Sequence, residues 1–190
     1  NQDTLFIKAA VNAAKIARAE AKSDIPIFAQ VTVETTGTLL VGPDIGAAAA
    51  VIHALDVPLM GLNCATGPQE MAEHVKWLSQ NWPGLLSVQP NAGLPELVDG
   101  KTHYPLSPQD LAKWLERFIR EDGINLVGGC CGTTPSHIQA VDAMLRGLDA
   151  AGRPAPAQRS FHWIPSAASL YGQVPFRQEN SYFSIGERCN

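Results

Sequence analysis

The sequence is short of charge, of cysteine and of long apolar runs, and each shortage narrows what the chain can do. Charged residues make up 17% of the 190, and 14 Lys and Arg against 18 Asp and Glu leave a net charge of -4. No basic cluster of the kind that follows a phosphate backbone stands out, so nucleic-acid binding is not expected. No uninterrupted apolar stretch reaches the ~18 residues of a membrane span. The best one, residues 47–60, is broken by His53, Asp56 and Pro58, so no membrane insertion is expected. The 4 cysteines are too few for a disulfide-built scaffold. Their uneven placement, at Cys64, Cys130, Cys131 and Cys189, fits a reducing cytoplasm. A secretory signal is also missing: Asn1-Gln2-Asp3-Thr4 leads straight into an amphipathic pattern, and the chain is expected to begin inside a larger protein.

What is present describes a core-forming chain: 45% hydrophobic residues, 16 Gly and 14 Pro, with a mean hydropathy of -0.03. Helical spacing of apolar residues predicts helices over 5–22 behind Asp3, 45–55 behind Asp44, and 68–80 behind a first-turn proline, Pro68. Ser107-Pro108-Gln109-Asp110 supplies a cap, a first-turn proline and an acidic third position, followed by Leu111, Trp114, Leu115 and Phe118 on one face up to Gly123. A last helix is expected over 136–148 after Thr134-Pro135. Between these, β-branched and apolar runs predict strands over 25–33, 58–64, 85–90 and 124–129, with a long loop over 91–106.

Strand and helix alternate through these segments, which calls for an α/β fold with parallel strands and right-handed crossovers. Such units make either a small open sheet or half of a (β/α)₈ barrel, since a complete barrel needs ~250 residues. From residue 150 the pattern lapses: 151–160 reads as a linker, 161–176 as irregular chain docked on something, and 181–190 as the first strand of another domain.

In parallel α/β sheets the functional end is where the strands' carboxyl ends meet the βα loops. Cys64 and Cys130-Cys131 fall there, so two strands deliver three thiols to one rim, which suits a soft divalent ion such as zinc. Neighbours in a regular strand point to opposite faces, but Gly128, Gly129 and Gly132 let the backbone turn both sulfurs inward. Three thiolates leave a fourth tetrahedral position for substrate. The competing reading is three separate small buried cysteines. A Cys130–Cys131 disulfide is disfavoured by adjacency. Asn91, in Pro90-Asn91-Ala92-Gly93, is equally a turn residue. His53, His74 and His137 fall on helices and read as surface or packing residues. His103 and Glu34 lie in functional-end loops and read as solvated, and Trp77, Trp82 and Trp114 suit helix packing.

Gly61-Leu62-Asn63-Cys64, Pro90-Asn91-Ala92-Gly93 and the run Val127-Gly128-Gly129-Cys130-Cys131-Gly132-Thr133-Thr134-Pro135-Ser136-His137-Ile138 together resemble the homocysteine S-methyltransferase family, over about residues 3–148. The ending Ile185-Gly186-Glu187-Arg188-Cys189-Asn190 resembles the opening strand of the pterin (methyltetrahydrofolate) domain that follows in the family's cobalamin-dependent, methionine-forming branch, with Cys189 where Thr is usual. The resemblance implies a (β/α)₈ TIM barrel of which this chain holds about the last four βα units. Residues 1–149 would be the C-terminal half of the homocysteine-binding domain, 150–180 an interdomain linker, and 181–190 the first strand of the pterin-binding domain. It implies Cys64, Cys130 and Cys131 as zinc ligands, Asn91 as the fourth ligand when substrate is absent, and Asn190 as a pterin contact. Residues that seat homocysteine would lie upstream of Asn1. The implied activity is zinc-dependent activation of the homocysteine thiolate for methyl transfer from methylcobalamin, which another module would hold alongside the methyltetrahydrofolate module. Betaine- or S-methylmethionine-dependent transfer, and a non-catalytic zinc-binding fragment, are the alternatives. Half a barrel leaves two sheet edges open, so the chain alone is expected to be poorly stable and inactive.

Overall fold

The computed structural model describes residues 2–151, 156–180 and 182. The strand expected over 181–190, with Cys189 and Asn190, lies outside the described residues apart from Tyr182.

Among the described residues, five helices form where apolar spacing and caps coincide. They are α1 (Thr4–Glu20), α2 (Ile45–Ala54), α3 (Pro68–Asn81), α4 (Pro108–Asp122) and α5 (Pro135–Ala150). The Asp3 carboxylate accepts from Leu5 N at 2.7 Å, and the Asp44 carboxylate accepts from Ala47 N at 2.7 Å. Each satisfies an amide that the first turn leaves without a partner. Helix α4 has both ends specified: Ser107 Oγ accepts from Asp110 N at 3.1 Å, and Gly123 closes the helix at φ +67°.

The strands β1 (Phe28–Val31), β2 (Leu59–Asn63), β3 (Leu85–Gln89) and β6 (Leu126–Val127) form one sheet in that order, every pair parallel. They are shorter than the apolar runs that predict them. The last strand ends at Val127, although Gly128 N still donates to Val88 O at 3.2 Å, and the chain turns only at Gly132, at φ +76°. Alternation divides the sheet into two unlike faces. Ala29, Val31, Met60, Leu62, Leu86 and Val88 join a single apolar core with Ile7 of α1, Ile52 of α2, Val75 of α3, Leu115 and Phe118 of α4 and Val141 of α5. Each large side chain buried there contributes ~1.5–3 kcal/mol. On the other face Gln30, Gly61 and Ser87 align in register, and Gln30 Nε2 donates to Ser87 Oγ at 3.0 Å. Gly61 is required in that row, because a Cβ there would collide with the Ser87 side chain and carbonyl. A parallel sheet in sequence order, with helices packed on one face, is compatible with a segment of a TIM-type barrel.

Two short hairpins depart from expectation. The loop over 91–106 contains β4 (Glu96–Val98) paired antiparallel with β5 (Lys101–His103) across Asp99 and Gly100, which sit at φ +49° and +73° as a tight two-residue turn demands. The segment over 161–176 contains β7 (Ser166–Ala168) and β8 (Gln173–Pro175), which pair with each other and pack on α2. Arg159 inserts its guanidinium among the carbonyls of Ser79 (3.2 Å), Trp82 (2.9 Å) and Gly84, where α3 passes into β3. Trp163 stacks on His53 at 4.4 Å, and Tyr171 O accepts from Asp44 N at 2.7 Å. Among the described residues no helix is long and apolar enough to cross a membrane.

Candidate metal centre

Strand β2 hands over to a turn at its carboxyl end. Cys64 N still donates to Gln89 O at 3.1 Å, but Cys64 and Ala65 both adopt left-handed backbone, at φ +63° and +61°. Such conformations cost non-glycine residues about 1–3 kcal/mol and mark places where geometry is imposed for a purpose. Two strands away, Cys130 N donates to Pro90 O at 2.8 Å, Ala92 N donates to Cys131 O at 2.9 Å, and Gly132 turns the chain at φ +76°. Between them, after β3, buried Asn91 accepts from Cys131 N through Oδ1 at 3.1 Å. The α3 and α5 N-termini follow these cysteine turns within a few residues and bring the positive ends of their dipoles to the same rim.

These turns bring Cys64, Cys130 and Cys131 together, with all three sulfurs within 4.8 Å of one another and Cys64 Sγ 3.5 Å from Cys131 Sγ. All three are free thiols. Sulfurs sharing one tetrahedral zinc at ~2.3 Å stand about 3.8 Å apart. The spacing and the softness of the donors therefore fit such an ion. A second observation agrees: Thr133 Oγ1 is buried in the same turn without a hydrogen-bond partner, which marks a polar position the protein alone leaves unsatisfied.

The thiols do not ionise alike. Burial raises the Cys64 pKa, but hydrogen bonds from the Ala65 amide, from the Cys130 and Cys131 thiols and from the Cys131 amide outweigh it and hold this thiol below its usual value. Burial pushes Cys130 up, and hydrogen bonding to Cys64 with the charges of Cys64 and Cys131 takes it to about 11. Without a cation Cys130 holds its proton; a dication would compete for the same lone pair.

The remaining candidates are scattered. His53 is exposed and stacked on Trp163, and His103 is exposed on β5. His74 is half-buried on α3, with burial lowering its pKa. His137 is buried, its Nδ1 3.2 Å from Thr134 N and its Nε2 2.9 Å from Leu106 O, a packing arrangement rather than an open ligand. Glu34 accepts from Gln2 Nε2 at 3.3 Å. Trp82 is buried and donates to Leu85 O at 3.1 Å, while Trp77 and Trp114 pack against the core. Two residues beside the sulfurs escape sequence reasoning. Asn63 places Nδ2 4.0 Å from Cys130 Sγ, and Tyr104 hydrogen-bonds Cys131 through its side chain. The signal for Tyr104 was Gly132, whose missing side chain makes room for that ring.

The family model described as "Homocysteine S-methyltransferase" matches residues 1–145. The chain is 50% identical over 189 residues to a protein named methionine synthase from Mycobacterium tuberculosis (strain ATCC 25618 / H37Rv), and 49% identical over 189 residues to a protein of the same name from Mycobacterium leprae (strain TN). All of this chain is covered in both cases, yet it spans only 15% and 16% of those relatives, so it corresponds to a fragment of such a protein. With the family model matched over most of its length, the chain belongs to the homocysteine S-methyltransferase family.

Proposed function

We propose that this chain is the metal-holding half of a homocysteine-binding (β/α)₈ module in a cobalamin-dependent methionine synthase, with Cys64, Cys130 and Cys131 as zinc ligands. The observation that carries the reading is the convergence of three free thiols from two strand ends to within 4.8 Å. The one-sided helix cover of the sheet supports the barrel, because the polar face carrying Gln30 and Ser87 is the one the rest of a barrel would enclose. The whole-chain match to the mycobacterial relatives supports the cobalamin-dependent branch, since it runs past residue 145, where the family model ends. Residues 1–149 then complete the homocysteine domain, 150–180 join it to the next, and 181–190 open the pterin-binding domain, with Asn190 as a pterin contact. A reducing cytoplasm keeps the three cysteines as thiols.

Bound there, zinc would lower the proton affinity of an entering thiol and keep the thiolate available at neutral pH. The three cysteines would hold the ion with three negative charges, and we assign the remaining ligand position to the sulfur of homocysteine. Asn91 Oδ1, engaged by one amide, keeps a second lone pair for that position when substrate is absent. The methyl donor is methylcobalamin carried by another module and recharged at the methyltetrahydrofolate module. Nothing on the described residues is assigned to hold it.

Metal analysis of the intact protein should give about one zinc per chain, lost together with homocysteine binding in Cys130→Ser. Unchanged zinc in that variant defeats the proposal. Methyl transfer from betaine or S-methylmethionine but not methylcobalamin moves the chain to another branch of the family. A cobalt-substituted protein whose spectrum ignores homocysteine is a closed structural site.

A further inference from the structure

Three thiolates crowded within 4.8 Å repel one another, and a protein that holds them needs donors on the sulfurs as well as a cation between them. The backbone provides for Cys64, through the amides of Ala65 and Cys131. For the other two the donors come from side chains. Asn63, the last residue of β2 and the immediate neighbour of Cys64, points its amide nitrogen at Cys130 Sγ from 4.0 Å. Tyr104, the residue after β5, hydrogen-bonds Cys131. Its approach is built in: Gly132 follows Cys131 at φ +76°, and a Cβ on it would overlap Cβ and Cγ of Tyr104. Each sulfur thus has its own donor, drawn from three different places in the chain.

We propose that Asn63 and Tyr104 are positioning residues that donate side-chain hydrogen bonds to Cys130 Sγ and Cys131 Sγ, fixing both sulfurs and drawing charge from them when a metal is bound. The inference rests on the metal reading above and adds to it two residues outside the ligand set. A donor on a thiolate stabilises its lone pairs, so the charge-transfer transition from sulfur to metal moves to higher energy. Removing the donor reverses that shift and weakens metal binding. Losing such an outer contact typically costs 10–100-fold in metal affinity. The β4–β5 hairpin gains a role as well, because it carries Tyr104 to the sulfur.

The test uses the intact protein loaded with cobalt(II) in place of zinc, without substrate, comparing Tyr104→Phe and Asn63→Ala with the parent. Tyr104→Phe keeps the ring over Gly132 and removes only the hydroxyl, so it carries the test should Asn63→Ala fail to fold. The expected result is roughly tenfold weaker metal binding in chelator competition for each variant, with the sulfur-to-cobalt band shifted to lower energy. Weaker binding with an unmoved band would reduce both residues to packing and overturn the proposal. So would parent-like affinity in a metal-binding protein. A parent protein that takes up neither cobalt nor zinc sinks the metal reading itself, a different outcome from either.

Discussion

Cys130 carries its proton more tightly than Cys64, and that difference has a measurable consequence. Because the metal-free folded state raises Cys130 to about 11, the stability this group contributes is present below its unfolded value and is lost as pH climbs toward 11. Cys64, shifted down, has the opposite sign. Titration of the metal-free protein by ultraviolet thiolate absorbance should show Cys64 ionising before Cys130. Metal uptake near neutral pH should release the Cys130 proton, detectable in weakly buffered solution, so that affinity rises with pH. Gly132→Ala should both strain the backbone and displace Tyr104. A fall in melting temperature with loss of metal affinity is expected, and a parent-like melt and affinity would show the contact to be dispensable. The convergence of the three cysteines was legible in the sequence, because thiols at the ends of parallel strands fall on one rim. Asn63 and Tyr104 were not. One was hidden inside a motif explained by its cysteine, and the other acts across 27 residues of chain from Cys131, a distance no local pattern spans.

Element by element, legibility follows the strength of local chemistry. Helix α4 was readable at both ends because Ser107, Pro108, Asp110 and Gly123 each satisfy a specific terminal need. Ser107→Ala should therefore cost ~1 kcal/mol in denaturant unfolding. The exposed Arg146–Asp142 pair, at 2.7 Å one turn apart on α5, should leave the denaturant midpoint close to that of the parent on Arg146→Ala. The two hairpins were missed for the converse reason. Strands of three residues have too little alternation to register, although Asp99-Gly100 carried the turn signal between them. Strand β6 was overestimated because its apolar run continues into Gly128 and Gly129, of which only Gly128 still donates to β3, to Val88 O at 3.2 Å.

For the molecule as a whole, β1 and β6 each pair on one side only among the described residues. The 190 residues produced alone should unfold without a sharp transition and lack homocysteine affinity, whereas a cooperative melt with full affinity would show this part to be self-sufficient. The tail beyond α5 is a fastened strap in its described part. Arg159→Ala removes three carbonyl partners at once, and limited proteolysis should then cut between residues 156 and 176 markedly faster than in the parent. That strap sets where mechanical load enters. It grips the floor between α3 and β3 through Arg159, then climbs α2 to meet Asp44 through Tyr171 and folds back as a hairpin. Tension applied to the chain beyond residue 176 would peel the hairpin from α2 and then strain the Arg159 anchorage, leaving the turns that bear the sulfurs slack. Displacement of the chain beyond residue 176 would thus be spent on the hairpin and on Arg159 before it reached the thiol cluster.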